Sequence, residues 1–294
     1  MREPATIAAH SGHVASVHFS PDSWVLVSAG MDGKIKVWSV PSWELLQTFE
    51  GHTKSVNTLS FSPGGGVLVS GSTDTSVRLW SFPSGDQLAT LRGHKKTVAC
   101  VRVSPDGSVL ASASYDKTVR LWRFPSGELL TTLKGHGGNV TAVAFSADGA
   151  ILCSSGLGSE ILVWSVPDGR PERTLEGHEV AVGSLEVSPE GSYLISAGYE
   201  GTVKAWSTED WKIAWSIGLP SRAGFLALSP DGETLAVSTH FKVLLWSISS
   251  QHLVEELPVR AKGVYQVDFS PDGRWLAAAA ADKRVRVWDL PSSA

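Results

Sequence analysis

Three residue types that can move protons recur along this chain at one spacing. His10, Ser28 and Asp32 are followed, at the same intervals, by His52, Ser70 and Asp74, and then by His94, Ser112 and Asp116. A histidine, a hydroxyl and a carboxylate are the parts of a nucleophile activated by a base that an acid orients. Such chemistry needs one set, in a cleft. Here the set is repeated, and each copy is closed by a tryptophan: Trp38, Trp80 and Trp122. Repetition points to structure instead. A buried His or Asp must find a partner, because leaving one unpaired costs several kcal/mol. Each set is therefore expected to be a hydrogen-bonded tie, with no catalytic residue and no enzymatic activity.

The tryptophans define the elements that would position these sets. Trp38, Trp80, Trp122, Trp164, Trp206, Trp246 and Trp288 stand 42 residues apart, except for one step of 40 that ends at Trp246. A period in this range marks an array of one supersecondary unit. The clearest copy runs from Gly93 to Trp122, GHKKTVACVRVSPDGSVLASASYDKTVRLW. TVACVRV is a short, β-branched strand. SPDG is a turn in which Pro presets φ, Asp caps with its side chain and Gly takes positive φ. SVLASAS, TVRLW and the following ELLTTL are three more strands separated by YDK and FPSG. Four short strands with tight turns form an antiparallel meander. The strands are apolar on both faces, so each sheet must be covered on both sides. A ring of sheets packed face to face achieves that and hides most edges.

Gly-His, Ser-Pro-Asp-Gly, Ser-x-x-x-Asp and Trp, in this order, resemble the WD-repeat β-propeller family over essentially the whole chain. The residue after Trp is mostly Ser (Ser39, Ser81, Ser165, Ser207, Ser247), and only Asp289 completes the Trp-Asp pair. The resemblance implies an all-β, seven-bladed propeller of four-stranded antiparallel blades, occupying residues 1–294 as one domain. The last copy stops soon after its third strand. Residues 1–8 precede His10 as Glu44 to Phe49 precede His52, so this segment is expected to supply the missing outer strand and close the ring. Copies one to three are the most regular. Copy four has Gly158, and copy five Glu200, at the Asp place. Copy six has Leu219 at the His place and lacks one residue, and copy seven has Arg260 and Ala278 for His and Ser.

Propellers of this family use one rim around the central channel to hold peptides and protein surfaces. The register carries that rim onto His13, Met31, Asn57, Tyr115, Asn139, Leu157, Tyr199, Arg222 and Tyr265. Three of the chain's 4 tyrosines fall there. Tyr combines a large contact area with a small entropic cost. The rim carries no ionisable cluster, which disfavours a small molecule or a reaction in the channel. On the opposite side Trp43 and Trp211 stand where other copies have Gly; they either cover the adjacent strand or offer a second place where a larger complex could grip.

Composition narrows the rest. With 25 basic and 29 acidic residues the net charge is −4, short of the dense cationic face a nucleic-acid binder needs. No apolar run approaches the ~18 residues of a membrane span, and the N-terminus lacks a signal-peptide pattern. Cys100 and Cys153 fall in strands of different copies and read as small buried hydrophobes. SPDG offers one carboxylate per turn, too few for calcium, and no cofactor or metal is expected. The chain reads as a monomeric, cytoplasmic protein-interaction scaffold with a protein or peptide partner.

Overall fold

A computed structural model describes residues 3–261 and 263–291. The described residues form seven four-stranded antiparallel sheets and no helix, so none contains a helix long and apolar enough to cross a membrane. We number the sheets as blades 1 to 7 and letter their strands a to d, from the channel outward. In blade 1 these are Val14–Phe19, Val25–Gly30, Ile35–Ser39 and Leu45–Phe49. The a strands of successive blades contact one another around a closed circuit.

Closure comes from the N-terminus. Strands a to c of blade 7 are Val264–Phe269, Trp275–Ala280 and Arg284–Asp289, and the fourth strand is Ala5–Ala8. Ala5 pairs with Val287 and Ala8 with Arg284. The backbone N–H groups of Ala9 and His10 continue the seam onto the Lys283 carbonyl. Of the proposed closing segment, the first two residues lie outside the described residues.

Stability resides in the gaps between blades. One apolar cluster fills each of the seven gaps. Between blades 1 and 2, Val27, Ile35, Val37 and Phe49 meet Val56, Leu59, Leu68 and Trp80. Each strand-c tryptophan thus packs against the preceding blade. Truncating a side chain as buried as Trp80, 2% exposed, would cost about 3–5 kcal/mol. Side chains of strand a add polar links across the gaps. Thr58 Oγ1 accepts the Val101 N–H at 3.2 Å, Ser184 Oγ accepts Leu226 N–H at 3.2 Å, and Asp268 accepts Phe19 N–H at 2.8 Å.

Blade 6 is the least regular. Its strand a is only Leu226–Leu228, as the missing residue and the lost His would suggest. The indole N–H of Trp246 has no partner among the described residues.

Candidate functional site

The repeated polar sets assemble as relays inside blades 1 to 3. In blade 1 the Trp38 indole N–H donates to Ser28 Oγ at 2.9 Å. Ser28 Oγ lies 2.9 Å from His10 Nε2, and His10 Nδ1 lies 3.0 Å from Asp32. Asp32 also accepts the Ser11 N–H. Blade 2 repeats this through Trp80, Ser70, His52 and Asp74, and blade 3 through Trp122, Ser112, His94 and Asp116, all between 2.8 and 2.9 Å. With the indole donating to the hydroxyl, the hydroxyl proton goes to Nε2, and Nδ1–H goes to the carboxylate. Every hydrogen then has an acceptor while the imidazole stays neutral. Burial holds His10 and His94 below the usual histidine value, although their Asp partners pull upward. Burial pushes Asp116 up, but hydrogen bonds from Thr118, the Lys95 N–H and His94 outweigh it and hold it at about 2.

The parts match a Ser-His-Asp triad, yet they cannot act as one. Ser28, Ser70 and Ser112 are each 0% exposed, and the tryptophan occupies the hydroxyl. No carbonyl can approach them. The later blades keep what their residues allow. Glu200 reaches His178 in blade 5. In blade 4, His136 keeps only Ser154, at 2.7 Å, and burial sets it at about 4. In blade 7 the Asp282 carboxylate takes Arg286 at 2.9 Å, and the Trp288 indole N–H has no acceptor among the described residues, Ala278 standing where Ser would be.

The ties hold the loops that enter and leave strands a and b, and these loops surround one mouth of the channel. Met31 N–H bonds to the His13 carbonyl, Tyr115 to Thr97, Leu157 to Asn139 and Tyr199 to Ala181. A cavity of about 350 Å³ opens there. Of the rim residues carried over from the register, Met31, Asn57, Tyr115, Tyr199 and Tyr265 line it. His13 and Arg222 stand behind that wall. Tyr265 and His13 stack at 5.9 Å, with their polar atoms 3.2 Å apart. The Arg222 guanidinium lies 3.3 Å from the centre of the Tyr199 ring. Leu157 is exposed and Asn139 half-buried, and neither reaches the cavity. Tyr199 lies across Gly183, where a Cβ would fall 2.4 Å from the ring; glycine is needed for that close approach.

Two features lie beyond the rim residues. An ionisable cluster occupies the channel one layer below the rim. Eight residues after each His place, the a strands carry His18, Ser60, Arg102, Ala144, Glu186, Ala227 and Asp268. The repeat register would have located this layer had it been extended inward from the rim. The Arg102 guanidinium is 3.6 Å from Glu186, and His18 Nδ1 is 3.7 Å from Asp268. The Gln266 amide donates to His18 Nε2 at 2.8 Å. Burial lowers His18 to about 3 and raises Asp268 to about 8, the latter against the Phe19 N–H. Phe225, Cys100, Arg102 and Gln266 belong to the cavity wall as well, at places that the rim register does not reach. The second concerns Trp43 and Trp211, which are half-buried. Trp43 meets Trp275 of blade 7 edge-on at 5.2 Å, and Trp211 packs on blade 4 with Arg173 over its ring. Both cover a neighbouring blade. The exposed aromatic on that side is Trp24, 73% exposed.

Both cysteines are buried and unpaired, and burial pushes the Cys153 thiol up to about 12. No group of three or more His, Cys, Asp or Glu suited to a metal occurs among the described residues.

Comparison with known proteins agrees with this geometry. The model of the WD domain, G-beta repeat family matches residues 2–39, 43–81, 85–123, 127–165, 169–207 and 252–289. Each match begins near the outer strand of one blade and ends on strand c of the next, so the sequence repeat straddles two blades. The unmatched stretch contains most of the irregular blade 6. WD repeat-containing protein 36 from Homo sapiens is 35% identical over 78 residues, 26% of this chain and 9% of that protein. Periodic tryptophan protein 2 homolog from Schizosaccharomyces pombe is 33% identical over 75 residues, 24% of this chain and 9% of its own length. U3 small nucleolar RNA-associated protein 21 from Saccharomyces cerevisiae is 40% identical over 43 residues, 15% of this chain and 5% of that protein. The alignments thus span less than a tenth of these relatives.

Proposed function

The chain belongs to the WD domain, G-beta repeat family, and on that premise we propose that it is a protein-interaction scaffold holding a peptide or protein segment at the tyrosine-bearing mouth of the channel. The observation that carries this reading is the cavity of about 350 Å³ ringed by Met31, Tyr115, Tyr199, Phe225 and Tyr265. It is concave, largely apolar and edged with polar groups, as ligand sites are. The aromatic walls are held in advance by Arg222 and His13, so little entropy remains to be lost on binding. Reading the chain as a non-enzyme rests on the sealed serines of the relays. On the opposite face Trp43 and Trp211 already cover neighbouring blades, which leaves Trp24 as the exposed aromatic there.

The test is a pull-down from native lysate with wild type and a Tyr115→Ala/Tyr199→Ala/Tyr265→Ala variant of matched melting temperature. A protein captured by the first and lost by the second is the expected result. Equal capture by both would move the site away from this mouth and overturn the reading.

A further inference from the structure

The channel is barred one layer below its rim. Arg102 leaves strand a of blade 3 and reaches Glu186 on blade 5. Blade 4, which lies between, places Ala144 at that level, a side chain too short to obstruct the span. Arg102 thereby lines the bottom of the cavity, whereas Glu186 does not. His18 and Asp268 open on the other mouth. Among the residues lining the cavity, Arg102 is the one permanent charge that a side chain entering from the rim would meet. A guanidinium has five N–H donors in a fixed fork. The Val101 carbonyl, at 3.1 Å, and Glu186, at 3.6 Å, leave that fork incompletely used.

The loops around the mouth are polarised in the same sense. Lys54, Lys95, Lys96 and Lys117 are exposed on the loops of blades 2 and 3, close in sequence to the mouth residues Ser55, Thr97 and Tyr115. The corresponding loops of blades 4 and 5 carry Glu160 and Glu179, and the position just before each Gly-His pair is Lys134 in blade 4 and Glu176 in blade 5. The mild net charge conceals this division. It would orient a charged segment as it crosses the mouth and speed its encounter with the correct side.

We infer that the cavity is a subsite for the carboxylate side chain of an acidic peptide segment, which pairs with Arg102 while neighbouring acidic residues of the partner lie toward blades 2 and 3. A single fork matches a carboxylate in a bidentate pair. A phosphorylated residue is usually held by a cluster of arginines, and the cavity lining supplies one. This inference rests on the reading of the mouth as a peptide site, and the experiment separates the two.

A random dodecapeptide phage library is panned on the immobilised full chain, and enriched peptides are synthesised with a fluorescein label. Binding is then measured by anisotropy for wild type, Arg102→Met, Glu186→Gln and the triple tyrosine variant. The enriched peptides should share an Asp or Glu whose replacement by Gln or Asn weakens binding to wild type at least tenfold. That replacement should have little effect on Arg102→Met. Glu186→Gln, which removes the competing counter-ion, should bind several-fold more tightly. If Arg102→Met does not fold, Arg102→Lys keeps the charge without the fork, and intermediate binding is expected. Acidic dependence that survives in Arg102→Met, or unchanged binding in Glu186→Gln, overturns the carboxylate subsite. Peptides that need the tyrosines but no acidic residue leave the mouth reading standing and overturn this one. A library yielding no enriched peptide overturns both. A labelled twelve-nucleotide poly-uridine that binds more tightly than every enriched peptide assigns the lysines to nucleic acid and also overturns the inference.

Discussion

A serine hydroxyl is the hub of each blade's polar tie. Ser112 accepts the indole N–H of Trp122 and satisfies His94, both within 2.8 Å, with no exposure to water. Removing the hydroxyl strands two buried groups, each costing about 1–3 kcal/mol. Ser112→Ala should therefore lower unfolding free energy by roughly 2–4 kcal/mol in guanidinium titrations. Blade 7 offers the reverse experiment. Ala278 is fully buried and the Trp288 indole N–H has no acceptor among the described residues. Ala278→Ser should add about 1 kcal/mol by supplying one. If the first substitution were neutral and the second destabilising, the tie would be a consequence of packing and not a contributor to stability. Both positions could be read from the repeat register. What that register could not reveal was whether the serines were sealed, since a triad and a tie use the same side chains. Burial decides between them.

At the scale of the strand, closure depends on four residues from the far end of the chain. Ile7 is 7% exposed and lies in the gap cluster with Phe19, Trp38 and Val285. It fills the place that Phe49 holds between blades 1 and 2. Ile7→Ala should cost about 2–4 kcal/mol and lower the melting temperature by several degrees. Leu46→Ala on the exposed side of another outer strand should change it by less than about 0.5 kcal/mol. Equal effects of the two would show that the seam does not limit stability. The outer strand of blade 7 was legible because Ile7 precedes Phe49 by one repeat, and the short strand a of blade 6 was foreshadowed by a missing residue. The charged layer in the channel was not recognised. Strand a carries His18, Arg102, Glu186 and Asp268 among apolar neighbours, and in a single strand such a residue looks like ordinary alternation. Only the ring turns all four toward one axis.

For the whole molecule, protonation links the buried histidines and Asp268 to stability with opposite signs. His10, His18, His94, His136 and His178 are held below the ordinary value of 6.5, His136 at about 4 and His18 at about 3. The unfolded chain takes up protons at these sites near pH 6.5, and the folded chain resists. Stability therefore falls as pH drops from about 6.5 toward 4, with His136 alone contributing on the order of 3 kcal/mol. Asp116, held at about 2, extends the loss from its ordinary value near 4 down to about 2. Asp268 acts the other way. Its folded value is raised from 3.8 to about 8. The folded chain keeps a proton there that the unfolded chain has released, so this contribution fades as pH rises through the folded value. Above about pH 7.5 these five histidines are essentially neutral in both states, which isolates the Asp268 contribution. Urea unfolding should show wild type losing stability between about pH 7.5 and 8.5, whereas Asp268→Asn, neutral throughout, stays level over that interval. Parallel curves would mean that Asp268 is already ionised in the folded ring and that the channel holds its charge at no cost to stability.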